Sequence, residues 1–240
     1  MRSELLKRSA LRARLIRRAA INNAKWCSIV CQANGAAGVF KDQAWYSVAD
    51  VPMYYPNIVT LKASCNLHLV ESLAKKIQGR ASLKDSFDTL QLPASKYEKL
   101  FAGKWFVAKS IIVRRSRYEI VKTVNSLKDW EEATNDKPIV PKLNYRVLSH
   151  PAVRIIAVKN GDKITGGCVL TRSDKVVGLT NFFYPEGTQD DYWSVCLSAA
   201  QIFAGKAPVV GYMRDDLLHA IMPTSRMELG PLSVWSRRER

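Results

Sequence analysis

The sequence predicts an α+β protein of two lobes, each a mostly antiparallel mixed sheet flanked by helices, with a basic helix in front. Three observations support that class. A length of 240 residues is close to where one hydrophobic core stops growing, which allows one large domain or two lobes of about 100 to 130 residues. Short runs rich in Val, Ile, Tyr and Trp, bounded by Gly, Pro and Asn, alternate with helical stretches along the chain. Between residues 153 and 184 three such runs are separated only by tight turns, the pattern of consecutive antiparallel strands. The basic run Arg114-Arg115-Ser116-Arg117 marks the boundary, giving a helix at 1–21, a first lobe at 22–117 and a second at 118–240.

Residues 3–20 carry Ala, Leu and Arg with neither Gly nor Pro, and Leu11/Leu15, Arg8/Arg12 and Arg14/Arg18 repeat four apart, so a helix is expected. A basic amphipathic helix can serve as a nucleic-acid arm, a membrane-surface helix, an organelle presequence or a cover for one side of a domain. Leu5, Leu6, Leu11, Leu15 and Ile16 favour docking on the first lobe. Strands are expected at Lys25 to Gln32 and Ala44 to Val48, flanking Asn34-Gly35 and Gly38, and at Asn57 to Lys62 after Pro52 and Pro56. Leu67, Val70, Leu73, Ala74 and Ile77 have helical spacing before Gly79. A short helix at Ser95 to Phe101 and a strand at Lys104 to Val113 complete the first lobe.

The second lobe opens with a strand at Tyr118 to Val124 and a helix at Ser126 to Thr134, with Ser126 as N-cap. A loop with Pro138 and Pro141 precedes strands at Val153 to Lys159, Lys163 to Arg172 and Val176 to Tyr184, turning at Asn160-Gly161 and Ser173-Asp174. A helix at Asp191 to Phe203, a strand at Pro208 to Met213, a helix at Asp215 to Met222 and two closing strands near Glu228 and Leu232 to Trp235 follow.

Thirty-seven Lys and Arg against 21 Asp and Glu give a net charge of +16, of which residues 1–20 contribute +6. So positive a field favours phosphate-rich partners: nucleic acid, an anionic membrane surface or a nucleotide-like cofactor. The longest apolar stretches, such as Ile155 to Val158, fall far short of the roughly 20 residues that span a bilayer. Five cysteines without a secretory signal point to reduced thiols in a cytoplasmic protein. As strand residues, Cys27 and Cys31 stand about 13 Å apart, beyond disulfide reach. Three histidines and five cysteines show no zinc spacing, so no metal site is expected.

The order of elements over 118–240 resembles the GNAT acyltransferase superfamily. The hairpin Val153-Arg-Ile-Ile-Ala-Val-Lys-Asn-Gly-Asp-Lys-Ile-Thr-Gly-Gly-Cys-Val-Leu170, the central strand Gly178 to Phe183, Gly211-Tyr212, Asp216 to Ala220 and Leu229 to Trp235 carry the resemblance. Trp45, Pro52 and Asn57-Ile-Val are similar to the opening strands of tandem GNAT proteins. The resemblance implies two GNAT-like lobes and an acyl-CoA, acetyl-CoA or another, held where the central strand splays from its neighbour. It implies cofactor contacts at Asn181, Phe182, Phe183 and Gly187, with the oxyanion held by strand amides around Phe182. For proton transfer it points to Tyr184 or His219 as base toward an amine of unknown identity and to Tyr212 as acid. Two departures stand out. Where the family has its glycine-rich pyrophosphate loop this chain has Pro185-Glu186-Gly187-Thr188-Gln189-Asp190-Asp191, whose acidic residues repel that ligand, and the family's tyrosine acid is replaced by Ile221-Met222-Pro223-Thr224.

The sequence contains no Walker phosphate loop, no G-x-S-x-G elbow, no G-x-G-x-x-G and no H-E-x-x-H. Two functions therefore compete: N-acyl transfer from acyl-CoA or another thioester to an amine, with or without retained activity, and noncatalytic binding of a polyanion or nucleic acid on a GNAT-like scaffold. The second draws on the N-terminal arginines, the 114–117 run and the Arg237-Arg238-Arg240 tail.

Overall fold

A computed structural model of the chain describes residues 2–109, 118–134, 143–173, 175–215 and 226–238. It divides into two compact units, Met1–Phe106 with Tyr212–Asp215 and Glu228–Arg240, and Val107–Gly211 with Asp216–Met227. The α+β class stands: mostly antiparallel sheet strands are flanked by helices. No helix among the described residues is long and apolar enough to cross a membrane.

In chain order the first unit contains α1 (Arg2–Ala33), β1 (Val39–Phe40), β2 (Ala44–Tyr46), β3 (Ile58–Thr60), α2 (Leu67–Ala74), β4 (Ser82–Asp85) and most of β5 (Tyr97–Ala108). α1 departs most from the sequence reading, because Lys25 to Gln32, expected as a strand, are its last turns and the helix does not stop at 21. Trp26, Cys27, Ile29, Val30 and Cys31 are all buried. A helix buried nearly all round shows a continuous apolar run, which periodicity cannot tell from a strand. Asn34-Gly35 accordingly closes a helix and not a hairpin: Gly35 has φ 80°, and the Ala36 amide reaches back to the Cys31 carbonyl at 2.8 Å. Cys27 and Cys31, one helical turn apart, are unbridged, like the other three cysteines.

The strand order is β1-β2-β3-β4, then a closing strand β11 (Arg226–Arg237), then β5. β2 and β3 pair antiparallel, whereas β3 and β4 are parallel and joined through α2. Leu83 packs with Val70, Leu73 and Ala74 of α2, while the next residue, Lys84, reaches Asn23 of α1 at 2.9 Å. Because neighbours on a strand point to opposite faces, α2 covers one side of this sheet and α1 the other. Ser95 to Phe101, expected as a helix, lies largely in β5, since Leu100 is exposed and no buried stripe supports a helix there. The two closing strands expected near the C-terminus are one, with Gly230-Pro231 inside it and the β4 ladder beginning at Ser233.

The second unit contains β6 (Glu119–Ile120), α3 (Val124–Glu132), a 3-10 turn (Tyr145–Ser149), β7 (Val153–Asn160), β8 (Lys163–Arg172), β9 (Val177–Phe183), α4 (Gln189–Ala204) and the start of β10 (Val209–Arg214). Strand order is β10-β9-β8-β7-β6. The β7-β8-β9 meander is antiparallel as expected. Thr123, and not Ser126, caps α3, and Ser126 supplies the reciprocal bond of a capping box. Phe183 meets Trp130 of α3 and Phe182 meets Trp193 of α4, so this sheet too has a helix on each face. The expected helix at Asp215 to Met222, the end of the strand to Val113, the 114–117 run, Pro138, Pro141 and Arg240 lie outside the described residues.

Candidate active site

The ladder between β9 and β10 is parallel and only two residue pairs long, Val177 with Val209 and Gly178 with Val210. From Leu179 onward β9 has no partner on that edge within its unit. On its other edge β9 pairs with β8 through an irregularity: Gly167 faces Phe183 and Val169 faces Thr180. Asn181 and Phe182 therefore stand against Cys168 alone, the two-against-one count of a β-bulge, which bends a strand and re-aims its groups. Asn181 sits at φ 52°, a left-handed conformation that Asn adopts more readily than most residues.

The side chain of Asn181 supplies the most informative atom. Its Oδ1 accepts from Thr180 Oγ1 at 3.0 Å, but its Nδ2 is buried and has no hydrogen-bond partner. A buried donor without an acceptor costs about 1 to 3 kcal/mol, and native structures retain few of them. Aromatics follow it along the strand: the ring of Phe182 lies 5.0 Å from that of Tyr184 and 5.4 Å from that of Trp193. Burial pushes the Tyr184 phenol above its ordinary range, so it keeps its proton at neutral pH. Phe183 is buried against Trp130 at 5.1 Å, which leaves its backbone, and not its ring, for any ligand.

Gly187, at φ 77°, turns the chain between β9 and α4. Thr188 donates from both N and Oγ1 to the Pro185 carbonyl, at 3.2 and 2.7 Å. The helix start is poorly suited to an anion: Thr188 makes no side-chain cap, and Asp190 and Asp191 occupy the first turn. Their charges satisfy the positive end of the helix dipole that a pyrophosphate would need. Tyr192 anchors this turn through its hydroxyl, 2.6 Å from Thr165 Oγ1, against Gly166, where any Cβ would overlap the ring.

The first unit repeats the strand, helix and parallel-strand arrangement, with β3 and β4 likewise paired only at Ile58 with Leu83 and Val59 with Lys84. There the strands are tied together beyond the ladder. Thr60 Oγ1 donates to Asp85 Oδ1 at 3.2 Å and accepts from the Ser86 amide at 2.8 Å. Asp85, 1% exposed, also accepts from the amides of Phe87 and Leu90.

Asn181, Phe182, Phe183, Tyr184 and Gly187 thus lie on β9 and the turn that follows it, all in the second unit. Tyr212 belongs to the first, where its ring lies beneath Lys84 Nζ at 3.8 Å and beside Trp105 at 5.5 Å. His219 lies outside the described residues. An open depression of about 490 Å³ lies elsewhere in the second unit, lined by Glu119, Asp129, Glu132, Lys159 and Lys163 among others, and none of the candidate residues borders it. Among the described residues no cluster of His, Cys, Asp and Glu could hold a metal. Thr60, Asp85 and Tyr192 escaped the sequence reading, since nothing local marks a carboxylate that laces two strands or a tyrosine that holds a helix start.

No protein-family model matches the sequence, and no curated protein sequence matches it. Solved structures do match. A GCN5-related N-acetyltransferase from Kribbella flavida aligns with TM-score 0.60 at 10% identity, covering 92% of this chain and 96% of that one. A putative acetyltransferase from the GNAT family of Novosphingobium aromaticivorans gives 0.59 at 8% identity, covering 92% and 99%. A functionally unknown conserved protein from Staphylococcus epidermidis gives 0.55 at 10% identity, covering 85% and 95%. The chain has the GNAT fold, over nearly the full length of these proteins.

Proposed function

We propose that the protein is an N-acyltransferase that takes an acyl group from a thioester donor, acyl-CoA or another, at the open edge of β9 and passes it to an amine. The observation that carries this is the buried, unpartnered Nδ2 of Asn181 on a bulged strand whose free edge begins two residues earlier. The GNAT fold implies acyl-CoA, and the residues present suit one end of it. Open strand edge and orphan donor suit a thioester and its pantetheine arm, whereas Asp190 and Asp191 oppose the pyrophosphate. A thioester supplies an activated acyl carbonyl and a sulfur leaving group. Asn181 Nδ2 then has its missing acceptor, and the β9 backbone orients the chain that carries the acyl group. Tyr184 holds a proton beside Phe182. His219 is the remaining candidate for moving the proton between amine and sulfur, and Tyr212, which belongs to the first unit, is assigned no part in this step.

The test is thermal unfolding with acetyl-CoA and with acetyl-pantetheine. At about 100 times Kd a ligand adds about 2.7 kcal/mol, a rise of roughly 5 to 10 °C for a chain of this length. Both compounds are expected to bind with affinities within a few-fold, because the pyrophosphate finds no cradle. Asn181→Gly fits the positive φ and deletes the orphan donor together with the acceptor of Thr180 Oγ1, so the stability of the unliganded protein should change by less than about 1 kcal/mol while thioester affinity falls about tenfold. No shift at millimolar donor, or unchanged affinity in the variant, would remove the reading.

A further inference from the structure

We propose that the N-terminal part of α1 is a docking surface for double-stranded DNA, held through its phosphates. Leu6 to Arg14 are nine consecutive helical residues, each exposed. At about 1.5 Å per residue, about 13 Å of helix is open to solvent. The helix meets its own unit at Arg12, whose Nε donates to the Leu229 carbonyl, and then at Leu15, which is 6% exposed, and Ile16, which lies over Gly230.

The charge on this segment is one-sided. Lys7, Arg14 and Arg18 are spaced i, i+7 and i+11, which at about 100° per residue places them within about 40° of one another, with Arg17 about 60° beyond Arg14. None of the four has an ion-pair partner among the described residues. Glu4, the only acid in α1, lies 3.6 Å from Arg8 and offsets that residue instead.

Three features favour DNA as the occupant. A lipid surface needs one continuous apolar face, but the exposed leucines Leu6 and Leu11 lie about 140° apart around the helix, and Leu15 is already buried in the fold. Arginine, three of the four cations, presents a planar fork that matches phosphate oxygens. A helix about 10 to 12 Å across fits the roughly 12 Å major groove of B-DNA, whereas the major groove of A-form RNA is too narrow for it.

The experiment is fluorescence anisotropy of a labelled 20-base-pair DNA duplex with the full chain, from about 50 to 300 mM NaCl. Four phosphates neutralised predict that the salt slope of log K falls by about 3 to 4 in Lys7→Gln/Arg14→Gln/Arg17→Gln/Arg18→Gln. A variant that removes equal charge elsewhere, Lys75→Gln/Lys76→Gln/Lys128→Gln/Lys206→Gln, should change the slope by less than about 1. Seven of the eight side chains are exposed and Arg18 is half-buried, so circular dichroism and Tm should stay close to wild type, and Arg14→Lys/Arg17→Lys/Arg18→Lys should retain the slope. Equal slope losses in the two Gln variants would overturn the proposal. So would tighter binding of an RNA duplex or single strand of the same sequence, or sedimentation with phosphatidylserine vesicles that depends on the four residues while DNA binding does not.

Discussion

Gly167→Ala tests the core that supports the candidate site. A Cβ at this position would lie 2.1 Å from the Ile156 carbonyl oxygen and 2.7 Å from Trp130 Nε1. The first is backbone in the neighbouring strand and cannot swing aside. The second belongs to a fully buried indole that donates to that same carbonyl at 2.9 Å and meets Phe183 edge-on. Overpacking of this kind costs about 1 to 3 kcal/mol, and a buried indole N–H left without its acceptor adds about 1 to 3 more. A loss of about 2 to 6 kcal/mol corresponds to a Tm decrease of roughly 4 to 24 °C at this length. Calorimetry or circular dichroism reads it directly. In a Trp130→Phe background the indole bond is already gone, so the same substitution should cost about 1 to 2 kcal/mol less. A decrease below about 3 °C, or strict additivity of the two changes, would show that Gly167 is not held between these groups.

Asp85→Asn replaces one acceptor oxygen with an NH2 group that faces an amide already donating to that position, so stability should fall by about 2 to 4 kcal/mol in urea titrations. An unchanged midpoint would mean that Asp85 does not lace β3 to β4. The buried thiols set a second test, since burial raises Cys27 and Cys65 to about 11 and Cys31 to about 12 from 9.0. A folded-state value above the unfolded one stabilises below pH 9 and loses that contribution as pH rises through 11 to 12. The urea midpoint should hold from pH 7 to 9 and fall from there to pH 11, and a thiol reagent at pH 8 should leave the native protein unlabelled while all five thiols react in urea. A flat midpoint above pH 9, or native labelling, would contradict the burial.

Legibility followed the reach of the interactions. The meander from Val153 to Phe183 was readable because its short apolar runs are parted by tight turns and Gly161, at φ 60°, turns it locally. The end of α1 was not, because Trp26 to Cys31 are buried by strands far along the chain and so lost their polar face. β4 reads Ser-Leu-Lys-Asp, a surface loop by composition. It is buried only because Asn23 takes the Lys84 ammonium and Thr60 meets Asp85. In the site the strand was legible and the atom was not: no sequence pattern announces that one nitrogen of Asn181 lacks an acceptor.

The pairing of Ser233–Ser236 with β4 has a consequence for biosynthesis. As the chain leaves the ribosome β4 emerges before the second unit, and the strand that joins it emerges only after Val107 to Gly211. The first unit must wait with one edge of β4 unpaired while most of the second unit, from Val107 to Gly211, becomes available in a single uninterrupted stretch. Domains that begin at the N-terminus ordinarily fold first during synthesis; here the later unit can be complete while the earlier one is still open, and throughout that interval the unpaired edge of β4 is a natural place for a chaperone to act or for another nascent chain to add by mistake.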